Sequence, residues 1–178
     1  MRMNRTLSVF TLCLVLALMP AVSGAGAFEL SSSAFKAGEP IPTRHTCKGE
    51  DVSPPLAWSG APKATRSFAL ICDDPDAPLA TWVHWVYYDI PASGKALPEA
   101  IGPSERPAPG GTSGKNSFRK AGYGGPCPPS GTHRYFFRLY ALDSHLGLEA
   151  GATKKELVKA MNGHILGQAE LMGTYRKP

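Results

Sequence analysis

Beyond residue 27 the chain has no further long apolar run, no stripe of lysine and arginine interleaved with aromatics, no internal repeat and no low-complexity stretch. The first absence leaves no later segment that matches the roughly 20 apolar residues of a membrane-crossing helix. The second removes the electrostatic footprint of nucleic-acid binding. The last two leave one ordinary globular domain, for which 178 residues at 43% hydrophobic content suffice. The strand–Gly-x-Ser-x-Gly–helix elbow of serine hydrolases is also missing. Residues 109–116 only imitate a phosphate-binding loop, with Pro109 where the first glycine is needed and Asn116 where a serine or threonine is needed.

What the chain does have begins with a leader pattern. Arg2 and Arg5 precede an apolar run over residues 7–19, and Ala25-Gly26-Ala27 supplies a small-residue cleavage site. This layout predicts a secretory signal peptide over residues 1–27 and a single domain over 28–178, exported to the periplasm or beyond. Arg2 and Arg5 are the leader's only charges, so its removal lowers the formal charge from +5 to +3. The mature protein is expected to be soluble, without stable membrane insertion. Cys13 leaves with the leader. Of Cys47, Cys72 and Cys127, the first and last lie in polar loops rich in proline and glycine, whereas Cys72 sits in an apolar strand. An odd number of thiols in an exported chain suggests one pair plus one buried thiol, and the setting favours Cys47 with Cys127.

Hydrophobic periodicity predicts a mainly β fold. Residues 65–72 become continuously apolar after Ser67 and are expected to be a buried strand. Residues 82–90 follow as a second strand. Strict alternation puts Trp82, His84, Val86, Tyr88 and Ile90 on one face and Val83, Trp85, Tyr87 and Asp89 on the other. Along residues 132–142, His133, Tyr135, Phe137, Leu139 and Ala141 share a face. Thr153 and Glu156 match a capping box, which opens a helix that Asn162-Gly163 stops. The tail, residues 165–176, alternates again as a closing strand. Short strands, many turns and one helix predict a sandwich of two antiparallel sheets with a helix near the C-terminus. The stretch over residues 91–131 is long and rich in glycine and proline, and its stiff end, residues 124–129, predicts a preformed rim.

The candidate chemistry is Asp74, Asp76, His84 and His133, with Tyr135 and the glycine–proline rim. Imidazole titrates near 6.5, and a neighbouring carboxylate favours its charged form. Two such rings at a cleft would donate charge-assisted hydrogen bonds to an anion, and the amides of Gly124 and Gly125 would complete the cradle. Taken singly, each histidine is more often a core residue, and Asp-Pro-Asp-Ala-Pro is more often a plain turn. His45, His145 and His164 lie beside turn signals and are expected to be solvated. Two histidines and a carboxylate also match a facial metal triad, which leaves a metal-dependent hydrolase as a minor reading.

Together, residues 46–58 (TCKGEDVSPPLAW), 73–78 (DDPDAP), 81–91 (TWVHWVYYDIP), 122–129 (GYGGPCPP) and 133–143 (HRYFFRLYALD) resemble the phosphatidylethanolamine-binding protein family, in its bacterial Raf-kinase-inhibitor-like branch. Residues 164–175 resemble that family's ending. The resemblance implies a β-sandwich with a small anion pocket, whose residues match Asp74, Asp76, Trp82, His84, His133, Tyr135 and, approximately, Gly125-Pro126. It implies a binding protein for phosphate and phospholipid head groups, not an enzyme, with no cofactor, no metal and no nucleic acid. An inhibitor or regulatory interaction protein, protease- or kinase-inhibitor-like, is the alternative; a protein partner and a homodimer stay open. Val83 separates Trp82 from His84 where eukaryotic members have adjacent histidines, and Arg119 adds a cation expected near the mouth. Kinase inhibition belongs to animal members and does not transfer to an exported chain.

Overall fold

The computed structural model describes residues 26–107 and 110–177. The expected leader, apart from Gly26 and Ala27, lies outside the described residues, and so do Cys13 and Pro109.

Among the described residues, eight strands and one α-helix follow in order: β1 (Glu29–Ser31), β2 (Leu56–Ser59), β3 (Ser67–Asp74), β4 (Trp82–Pro91), β5 (Ala96–Leu97), β6 (Thr112–Ser113), β7 (Thr132–Leu142), α1 (Lys154–Met161) and β8 (Ile165–Arg176). They form a three-stranded sheet, β1-β2-β5, and a five-stranded sheet, β6-β4-β3-β7-β8. The pairings between these strands are antiparallel. The protein is mainly β, with two sheets and a helix near the C-terminus, as the alternation predicts.

The large sheet is apolar on both faces because both are covered. Leu70, Cys72, Tyr87, Tyr135, Phe137 and Leu171 pack toward Leu30 and Trp58 of the small sheet. Ala69, Ile71, Val86 and Tyr88 pack beneath Leu157 and Met161 of α1. Every residue of β3 is buried, which is why its sequence runs continuously apolar from Phe68 to Cys72. The helix starts where the capping box places it: the Thr153 hydroxyl accepts from the Glu156 amide, and the Glu156 carboxylate accepts from the Thr153 amide. Asp73 points toward the helix and is buried, pairing with Arg138 at 2.7 Å and with the Lys154 ammonium.

Strict alternation fails along β4, and the failure builds the site. Cys72 pairs with Trp85, but Asp73 pairs with Val83, so His84 is the extra residue of a β-bulge. A second irregularity between Phe68 and Leu70 sets two residues, Tyr88 and Asp89, against Ala69 alone, with Asp89 at φ 52°. Each bulge shifts the pleat by one residue. Trp85 and Tyr87 therefore face the small sheet, while Val86 and Tyr88 face the helix. The expected grouping of His84 with Val86 and Tyr88 is corrected accordingly: His84 lies edge-on to Tyr135, with ring centroids 5.1 Å apart, on the small-sheet side.

Candidate functional site

The ends of β3, β4 and β7 meet at one hollow of about 230 Å³. Asp74, Trp82, His84 and His133 line it, with Ala77, Pro78, Phe118, Cys127, Pro128 and Pro129 around them. Asp74, His84 and His133 are 3%, 2% and 8% exposed, so the polar groups sit at depth. The mouth is apolar. Trp82 and Phe118 meet edge-to-face at 5.3 Å, and both are partly exposed. Leu79, next to Pro78, stands fully exposed at φ 76°.

Each imidazole is held by its Nδ1 atom. His133 Nδ1 donates to Asp74 Oδ2 at 2.7 Å, and His84 Nδ1 donates to the Gly124 carbonyl at 2.6 Å. Carbonyl and carboxylate oxygens only accept, so in both rings the proton sits on Nδ1 and Nε2 is left for a ligand. Burial pushes the His84 pKa below its ordinary value, against the pull of the Gly124 carbonyl and the Asp74 carboxylate. Asp74 Oδ1 accepts from the Asp76 amide at 2.8 Å, which fixes the acidic turn.

The remaining candidate residues surround the hollow without lining it. Asp76 is gripped by Arg134: Oδ2 accepts from the Arg134 amide and Nε, both at 2.9 Å, and Oδ1 accepts from the outer guanidinium nitrogen at 2.7 Å. That fork holds its carboxyl down to about 2. Tyr135 backs His84 from within the core, and its buried hydroxyl has no hydrogen-bond partner among the described residues. Gly125 and Pro126 anchor the rim. The Gly125 amide donates to Asp51 Oδ1 at 2.7 Å, the Pro126 carbonyl accepts from the Cys47 amide at 3.1 Å, and Cys47 is disulfide-bonded to Cys127.

The expected amide cradle is corrected here. The Gly124 amide donates to the His84 carbonyl and the Gly125 amide to Asp51, so neither is free to bind an anion. His45 is corrected too: it is 3% exposed, with Nδ1 on the Val52 carbonyl, and its own carbonyl holds the Tyr123 hydroxyl behind the rim. Arg119 does not line the hollow. Sequence reading missed Phe118, Asp51 and Arg134. No periodic signal marks Phe118, which sits in irregular chain, and the other two act through partners distant in sequence. Among the described residues, no group of three or more histidine, cysteine, aspartate and glutamate side chains is placed to hold a metal ion.

Fold and site together define a two-sheet β-sandwich with a small imidazole-and-carboxylate hollow open to solvent at its strand ends. A sequence profile for the phosphatidylethanolamine-binding protein family matches residues 31–176, and the chain belongs to that family. It is 52% identical over 149 residues to a UPF0098 protein of Methanothermobacter thermautotrophicus, covering 84% of this chain and 99% of the relative. Among solved structures, a phosphatidylethanolamine-binding protein homologue of Chlamydia trachomatis superposes with a TM-score of 0.79 at 41% identity, over 85% of this chain and 99% of that one. Escherichia coli YbcL, described as a member of the mammalian PEBP family, superposes at 0.78 with 34% identity, over the same shares of the two chains.

Proposed function

We propose that this is an exported binding protein for small phosphorylated or otherwise anionic ligands, with phosphate and phospholipid head groups such as phosphoethanolamine as the class. One observation carries the reading: imidazoles from two different strands, each fixed through Nδ1, turn toward the same open hollow beside a carboxylate. The hollow suits a compact head, and the Trp82–Phe118 mouth suits an apolar ester group attached to it. Export rests on the leader pattern of residues 1–27. The lining side chains include no hydroxyl nucleophile, and the one lining cysteine, Cys127, is in a disulfide, so binding is the better assignment than covalent catalysis. The test is a titration with phosphate or phosphoethanolamine followed through the imidazole NMR signals of His84 and His133. Both rings should respond; silence from both would refute the assignment.

A second reading, an inhibitor that docks on an enzyme, is favoured by Leu79 alone, exposed at the tip of a loop whose two ends are held in β3 and β4. A tight protein partner whose capture survives His84→Ala would support it.

A further inference from the structure

We infer, building on the binding reading above, that the hollow takes an oxyanion only together with protons, carried either by the ligand or by the Nε2 atoms of His84 and His133. The selection is made by charge. Among the described residues no lysine or arginine lines the hollow, and its ionisable lining groups are Asp74, His84 and His133. With Asp74 ionised and both rings neutral, the lining is formally negative and would repel a dianion. It also offers the wrong hydrogen bonds. Nδ1 of each ring is spent on a protein acceptor, so each neutral ring presents a bare Nε2 lone pair beside the Asp74 oxygens. The two rim amides expected to compensate, those of Gly124 and Gly125, are spent on the His84 carbonyl and on Asp51. Among the lining side chains the Trp82 indole N–H is the one donor left. A proton on either Nε2 changes both properties at once: an acceptor becomes a charged donor, and the lining moves from net negative to neutral, then to net positive with the second.

The other groups around the rings do not remove this requirement. Arg134 is closed on Asp76, and that pair is neutral overall. Asp51 lies behind Gly125 and adds negative charge, and Tyr135 behind His84 carries none. Burial disfavours the charged form of His84, so above its ordinary value of about 6.5 the ligand-free ring is uncharged and the proton comes with the anion.

Calorimetry on the mature protein tests this, with sulfate as the probe because it stays a dianion across the range used, and inorganic phosphate beside it. In buffers of different ionisation heat, sulfate binding should take up about one proton, and its affinity should rise up to about tenfold per pH unit as pH falls from about 8 to about 6. Histidine nitrogen NMR should show Nε2 of at least one ring changing from bare to protonated as sulfate is added. Phosphate binding where sulfate does not also supports the inference, because phosphate brings its own proton. Sulfate binding with no proton uptake and no pH dependence overturns it and leaves the binding reading intact. Failure of phosphate, sulfate and phosphoethanolamine alike to bind even at about pH 5.5 overturns both.

Discussion

Asp74 and His133 stand 59 residues apart in sequence, on neighbouring strands, and share a buried hydrogen bond of 2.7 Å. The same carboxylate holds the Asp76 amide, so one side chain fixes both a ring and a turn. Asp74→Ala leaves one buried donor, His133 Nδ1, and one half-buried donor, the Asp76 amide, without an acceptor, an omission that costs about 1–3 kcal/mol. Thermal or urea unfolding should show that loss, and Asp74→Asn, which keeps an acceptor oxygen, should lose less.

His84 makes the ligand-free protein sensitive to acid. Burial holds its pKa below the ordinary value, so the folded state binds fewer protons than the unfolded state in that range. Its contribution is fully present above the unfolded value of about 6.5 and is lost as pH falls through it. Melting temperature should decline from about pH 7 to about pH 5, more steeply than in His84→Asn, and bound phosphate should flatten the decline.

The Cys47–Cys127 bond ties the segment behind the rim to the wall of the hollow across 80 residues of sequence. Removing a native disulfide from a small domain costs about 2–5 kcal/mol. Cys47→Ser/Cys127→Ser should melt earlier and bind phosphate more weakly, since Cys127, Pro128 and Pro129 line the hollow. Cys72 should resist alkylation in the folded protein, because burial keeps its thiol protonated and out of reach.

Gly125 is required by close approach. A Cβ there would lie 2.4 Å from the His45 carbonyl oxygen and 2.6 Å from Asp51 Oδ1. Gly125→Ala must push the rim outward and break its bond to Asp51, at a cost of about 1–3 kcal/mol. Urea unfolding measures the loss, and amide exchange should quicken at Gly124 and Gly125. Gly102→Ala, where nothing lies within 4 Å, is the matched control.

Much of this protein was legible from local pattern. The apolar run of β3 marked a strand covered on both sides, the alternation of β7 put His133 and Tyr135 on the core face, and Thr153 with Glu156 marked the helix start. Five separated segments, in order, pointed to the family. The parts that were not legible depend on partners distant in sequence. Period 2 along β4 was misleading because a bulge inserts His84, and a bulge is set by how β3 and β4 pair, not by β4 alone. The glycine amides looked free until His84 and Asp51 were seen to use them.

The sequence by itself determined which groups were available: two histidines, their carboxylates, a stiff proline-rich rim and a sandwich to hold them. Only the tertiary structure decided how each was used, sending Asp74 to His133 and Asp76 to Arg134, and closing the Cys47–Cys127 pair that the loop setting favoured. The physical reason is that strand and helix signals are local in the chain, whereas the partner of a buried polar group is whatever the packed strands bring within about 3 Å of it.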